Sequence, residues 1–228
     1  PGLLIVAAGA FGWLLGAAAG ADVVRQLGLV VMVQGAVVAL LGPAVTRALL
    51  FPIGFALFLV PMGEALVPPL QTLTARMCIL LLGWAGVPAS IDGVFITTPA
   101  GWFEVAEACS GVKFLVAMIA YGALVANLCF ASPWRRAGFM AAAVAVPVIA
   151  NGLRAFGTIW IAERTTIDFA AGFDHVVYGW IFFALVIAAT MAAGWPFFDR
   201  RPGMAWFDAE ALGRMRFRAA PGGAVAAA

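Results

Sequence analysis

Residues 107–131 read EACSGVKFLVAMIAYGALVANLCFA. After Glu107 the only charge is Lys113, and a largely apolar run of about 20 residues is what a helix needs to cross a bilayer. The run begins where a polar loop ends, and that handover carries Cys109, so the reading puts a thiol at a membrane surface. Two other ionisable groups fall at matching depth. Asn151-Gly152-Leu153-Arg154 closes a later apolar span, and Asp174-His175 opens the next. A Cys, an Arg and the only His therefore converge on one face of a bilayer.

Composition fixes the class. Hydrophobic residues make up 64% of the 228, charged residues 11%, and mean hydropathy is +1.05. Soluble domains carry roughly 25% charged residues, so the expectation is an all-α polytopic integral membrane protein. This length holds roughly six or seven spans with short loops, and no separate soluble domain fits. The net charge of +2 sits at helix ends, not on a basic face, which argues against nucleic acid as a partner. Cys78, Cys109 and Cys129 have no C-x-x-C spacing, and one His cannot complete a His-rich cage. No metal and no cofactor are expected. The chain begins at Pro1 inside an apolar run, which reads as a missing N-terminal stretch and not as a cleaved signal.

Apolar runs at residues 1–20, 27–43, 47–62, 110–131, 137–154 and 176–196 give six spans. Pro61, Pro68 and Pro69 break the following region, and Gln71 and Arg76 interrupt it. Residues 70–86 therefore read as a helix lying in the interface. Residues 91–98 and 102–105, around Pro99-Ala100-Gly101, read as a small extracytoplasmic β-hairpin. The organisation expected is N-terminal spans over 1–62, a catalytic membrane core over 63–198 and a cytoplasmic tail over 199–228.

Short cytoplasmic loops concentrate Lys and Arg. The clusters Arg135-Arg136 and Arg200-Arg201, with Arg214, Arg216 and Arg218, belong inside, which places Cys109, Arg154 and His175 together outside. A thiolate is favoured at a helix N-terminus or beside a cation. Lys113 lies four residues beyond Cys109, and Ser110-Gly111 exposes backbone N–H groups to a substrate. The plain alternative is a packed apolar cysteine, the reading adopted for Cys78 and Cys129. Arginines near span ends are mostly snorkelling anchors, as for Arg25, Arg47 and Arg76. Arg154 differs because Asn151 shares its face and apolar chain follows it. His175 is the one side chain of a type that ordinarily titrates near neutrality, and Asp174, Glu163 and Asp168 are its candidate orienters. Trp102, Trp134, Trp180 and Trp195 read as an aromatic belt. Gly122, Ala123 and Ala126 offer a surface for close helix contact.

Glu107-Ala108-Cys109-Ser110-Gly111, Asn151-x-x-Arg154 and His175-x-x-x-Gly179, in this order, resemble the exosortase family of bacterial membrane transpeptidases over roughly residues 55–197. Lys113 stands where many members carry Arg. The resemblance implies a cysteine peptidase or transpeptidase with Cys109, Arg154 and His175 catalytic and with Asn151, Lys113, Glu107, Ser110 and Gly111 supporting. It also implies a multi-pass protein of the inner membrane whose site faces the periplasm. The implied partners are membrane lipids, an acceptor nucleophile, and substrates bearing a PEP-CTERM signal: a Pro-Glu-Pro motif, a transmembrane helix and a basic cluster. Such enzymes are associated with exopolysaccharide production. A noncatalytic scaffold and a transporter subunit are the competing classes. A transporter would place its ionisable groups near the midplane of broken helices or repeats, whereas Arg154 and His175 fall at span ends.

Overall fold

The structure is a computed structural model and describes residues 1–165 and 175–200. The chain divides into two compact units, and the described part of the first is Pro1–Val60. There α1 (Gly2–Ala19) packs on α2 (Asp22–Ala48), which breaks at Gly42, where φ is 77° and Pro43 follows. Glycines seven residues apart set the contact. A Cβ on Gly9 would lie 2.8 Å from the Gly28 carbonyl oxygen, and one on Gly35 would lie 2.7 Å from the Val6 nitrogen. Small residues at such spacing let apolar helices pack backbone to backbone. Arg25 pairs with Asp22 at 2.9 Å and lies over Trp13.

The first unit also holds α3 (Leu50–Phe55), prolonged by a 3-10 turn to Leu59. The 47–62 run was expected to cross, but this helix has ten residues and reaches roughly 15 Å, half of the ~30 Å hydrocarbon thickness. Pro52 sits in its first turn, and Pro61 follows just beyond its end. Its place among the spans goes to Glu64–Trp84, the region expected to lie in the interface, so six helices among the described residues are long and apolar enough to cross. The physical reason lies in Pro68 and Pro69. They sit at the start of α4 (Val67–Trp84), where a first-turn N–H has no helical partner to lose and proline starts a helix instead of breaking it.

The second unit, Pro61–Arg201, carries the candidate site residues. Its elements are α4, three strands, α5 (Val112–Cys129), α6 (Pro133–Arg164) and α7 (His175–Gly194). Ala75, Cys78 and Leu82 of α4 pack with Ile159 of α6 and Ile96 of the sheet. Gly122 is buried because a Cβ there would lie 2.5 Å from that of Ala143. This small-residue position, offered by the sequence as an outer contact surface, is taken by α6. The expected hairpin is a three-stranded antiparallel meander of β1 (Ser90–Asp92), β2 (Phe95–Thr98) and β3 (Gly101–Glu104). The extra strand forms because Gly93, with φ 61°, turns the 91–98 run back on itself, so that Asp92 faces Phe95. The helix α6 spans 32 residues, roughly 48 Å, and exceeds the hydrocarbon thickness. Near its end Glu163 accepts a 2.9 Å hydrogen bond from the Ala100 N–H and holds the β2–β3 turn there.

At the other end of α6 a polar clasp closes the unit. The Asp199 carboxylate accepts from the Ala131 and Ser132 N–H groups at 2.6 and 3.2 Å and lies 3.7 Å from Arg135. Arg136 donates to the Phe130 carbonyl, and Arg200 donates to that of Asn127. The arginines that mark the inner face by sequence thus also satisfy the orphan carbonyls at the end of α5. The Ala131 N–H above all holds the Asp199 carboxyl below its usual range, against partial desolvation and with help from Ser132 and Arg135. A depressed folded pKa stabilises above the ordinary carboxylate value and is lost as pH falls through the folded one. Thermal unfolding in detergent should therefore show Asp199→Asn less stable than the parent at neutral pH. The gap should narrow once pH drops below about 4, and a gap constant with pH would remove the carboxylate from the clasp.

Candidate active site

Cys109 closes a 3-10 turn (Glu107–Cys109) at the foot of α5. Next comes Ser110, 3% exposed, whose hydroxyl lies 3.4 Å from the Val112 N–H. Gly111 is the N-cap, with φ 78° and ψ 4°. Only glycine adopts that conformation at little steric cost, and it is needed for a second reason as well. A Cβ on Gly111 would lie 2.7 Å from Cγ of Asn151. The side chain that fills this space donates from Nδ2 to the Cys109 carbonyl at 2.8 Å and to the Thr74 hydroxyl at 3.2 Å. Asn151 is 3% exposed, so it ties α4, α6 and the cysteine turn together in a setting with little water to substitute.

Three residues further along α6, Arg154 is 8% exposed. It faces α7, with its guanidinium carbon 5.3 Å from the Phe183 ring centroid. A Cβ on Gly179 would sit 3.3 Å from its Nη2. Gly179 lies one turn beyond His175, so the glycine of the His175-x-x-x-Gly179 pattern makes room for the arginine of Asn151-x-x-Arg154. Phe183 in turn stacks on Phe114 of α5, with centroids 3.8 Å apart. Arg154 is thus walled by two helices, unlike an anchor reaching for water.

Cys109, Asn151 and Arg154 open on one cavity of about 80 Å³, whose wall also includes Phe103, Glu104, Val105 and Thr158. Cys109 is half-buried there, and Arg154 lines the same cavity. The roof is held by Gln71, which donates to the Val105 carbonyl at 2.8 Å. Among the described residues, no three His, Cys, Asp or Glu side chains gather as metal ligands. The arrangement supplies a nucleophilic atom, a fixed cation and an opening, which are the parts of an acyl-transfer site.

Of the residues named from sequence, Cys109, Asn151 and Arg154 come together, while Ser110 and Gly111 build the turn beneath the thiol. Glu107 and Lys113 are exposed and outside the cavity wall. The i to i+4 rule that placed Lys113 under Cys109 holds within a single helix. Gly111 breaks the register, since Cys109 lies in a 3-10 turn and α5 begins only at Val112. His175 opens α7, but its side chain lies outside the described residues, as do Asp174 and Asp168. Glu163, offered as an orienter, holds the sheet. Sequence reasoning missed Glu104 and Thr158. Thr158 was within reach, because it lies four residues from Arg154 on one face, and its hydroxyl donates to the Arg154 carbonyl at 3.1 Å.

The family model for transmembrane exosortases matches residues 1–192. No curated protein and no solved structure matches the chain.

Because Gly111 and Asn151 occupy each other's space, their substitutions should couple. Gly111→Ala brings a left-handed residue, costing about 1–2 kcal/mol, and a clash. Asn151→Ala removes the hydrogen bond to the part-buried Cys109 carbonyl, costing about 1–3 kcal/mol. Thermal unfolding should show the double variant losing less than the two single losses added. Strict additivity would mean that the two side-chain positions do not meet.

Proposed function

The chain belongs to the transmembrane exosortase family, and from that premise we propose that it is a membrane-embedded cysteine transpeptidase whose nucleophile is Cys109. The observation that carries this reading is the shared cavity of Cys109, Asn151 and Arg154, with the cysteine turn clamped by Asn151. The substrate is a protein anchored by a C-terminal transmembrane helix, preceded by a Pro-Glu-Pro motif and followed by a basic cluster. Its loop enters the cavity while its helix stays in lipid, at the outer face of the cytoplasmic membrane. The sidedness rests on the Arg135-Arg136 and Arg200-Arg201 clusters of the sequence, of which Arg135, Arg136 and Arg200 stand at the opposite end of the unit.

The Cys109 sulfur attacks a peptide carbonyl carbon. Arg154 stabilises the oxyanion with N–H donors fixed by Phe183 and Gly179. As the tetrahedral species collapses, the C–N bond breaks and the nitrogen takes a proton, leaving as an amine with the substrate's helix. His175 is the proposed carrier of that proton and of the one taken from the thiol. An acceptor nucleophile then attacks the thioester carbonyl, the C–S bond breaks, and the thiol is restored. Asn151 is a positioning residue in this scheme, since it acts through the Cys109 carbonyl.

Co-expression with a protein bearing such a signal tests the reading, through the gel shift that marks loss of the substrate's helix. Cys109→Ala should give no shift. Arg154→Lys should cut turnover by about 10²-fold at normal expression, because a point charge cannot replace a planar fork of donors. Arg47→Lys, an anchor control, should leave turnover near normal. Normal processing in Cys109→Ala would overturn the assignment of the nucleophile.

A further inference from the structure

Between α6 and α7 lies a second cavity, of about 350 Å³, at the end of the unit remote from Cys109. The whole length of α5, roughly 27 Å, separates the two ends. Phe130, Phe139 and Phe197 form part of its wall, and Gly138, Ala142 and Ala193 leave the space. Its one hydroxyl is already engaged, since Thr190 Oγ1 donates to the Val186 carbonyl at 2.8 Å. The wall is therefore chemically apolar, except at Arg135. That side chain is 50% exposed. Its Nη1 donates to the Phe197 carbonyl at 3.0 Å, and a guanidinium has five N–H donors in all. Trp134 and Trp195, 83% and 67% exposed, stand at the same end, as aromatic side chains do at headgroup depth.

We propose that this cavity seats one acyl chain of an anionic phospholipid, with the headgroup phosphate on Arg135. Three observations select that occupant. The volume is too small for a helix of about 10–12 Å diameter, lies in the range of small-ligand pockets and takes most but not all of the length of one acyl chain. The walls belong to two helices long and apolar enough to cross a membrane, so an occupant can enter from lipid. Among the described residues the one charge in the wall is Arg135, which lies 3.7 Å from Asp199 in a cluster where Arg136 and Arg200 leave the cations in excess, and basic pockets between helices on a cytoplasmic face select anionic headgroups.

Gly138 supplies the test, because a Cβ added there meets nothing within 4 Å. Gly138→Leu adds a side chain at the cavity wall whose Cβ meets no neighbour, and it replaces a poor helix former by a good one. The full chain in a neutral detergent is titrated with dioleoyl phosphatidylglycerol, with dioleoyl phosphatidylcholine or with inorganic phosphate, and thermal unfolding is followed. Phosphatidylglycerol should raise the parent's midpoint by roughly 5 °C at about a hundredfold excess over its dissociation constant. Phosphatidylcholine and phosphate should raise it far less. Gly138→Leu should lose the increment while keeping or raising its own midpoint, and native mass spectrometry should count one lipid fewer. Arg135→Gln should abolish the preference for phosphatidylglycerol over phosphatidylcholine. If Gly138→Leu does not fold, Ala142→Leu, one turn on in the same wall, gives the same readout. An equal increment in the filled variant, equal increments from the two lipids, or an increment from phosphate alone would each overturn the assignment.

Discussion

The candidate site of the second unit is organised around one hydrogen bond, from Asn151 Nδ2 to the Cys109 carbonyl at 2.8 Å. A buried amide or carbonyl in a membrane protein has little water to turn to, and an unsatisfied group there costs several kcal/mol. The bond therefore restricts more than its own two residues. It requires glycine at 111, because any Cβ would strike Asn151. It draws Thr74 of α4 to the same amide. It also sets the height of the thiol against α6, and so against Arg154 one turn further on. The close approach of Gly179 to Arg154 repeats the device on α7, with a glycine of one segment making room for a polar side chain of another.

That logic explains which parts of the protein could be read in advance. The number of spans among the described residues follows from hydropathy, because hydrocarbon thickness is a length that the sequence must match, although the 47–62 run gave up its place to Glu64–Trp84. Cys109 was legible because it stands where an apolar run begins, whereas the run expected to end at Arg154 continues to Arg164, so that Asn151 and Arg154 lie inside α6 and not at its end. Local rules failed where backbone geometry departs from a single helix. Gly111 and Gly93, both at positive φ, removed Lys113 from the neighbourhood of the thiol and split one expected strand into two. Prolines misled at α4, where their effect depends on whether they fall inside a helix or at its start. Glu104 and Thr74 carried no signal, since a partner contributed by a different element leaves no mark on local spacing.

The two ends of the second unit divide its work. One end holds the half-buried thiol, the walled arginine and the small sheet fixed to α6 by Glu163. The other end consists of arginines engaged with carbonyls and Asp199, and it registers α5, α6 and α7 against one another. Such a scaffold suits the acyl transfer proposed for it, which needs a reacting group and an oxyanion donor held in fixed geometry.

The most direct measurement is the capture of the acyl-enzyme. Purified protein mixed with a substrate bearing the sorting signal, quenched in acid within the first turnover and digested, should yield a Cys109 peptide carrying the substrate's N-terminal fragment as a thioester. That adduct should disappear on treatment with hydroxylamine and be absent from Cys109→Ala. Cleavage that proceeds with Cys109 unmodified at every quench time, or that persists in Cys109→Ala, would contradict the account.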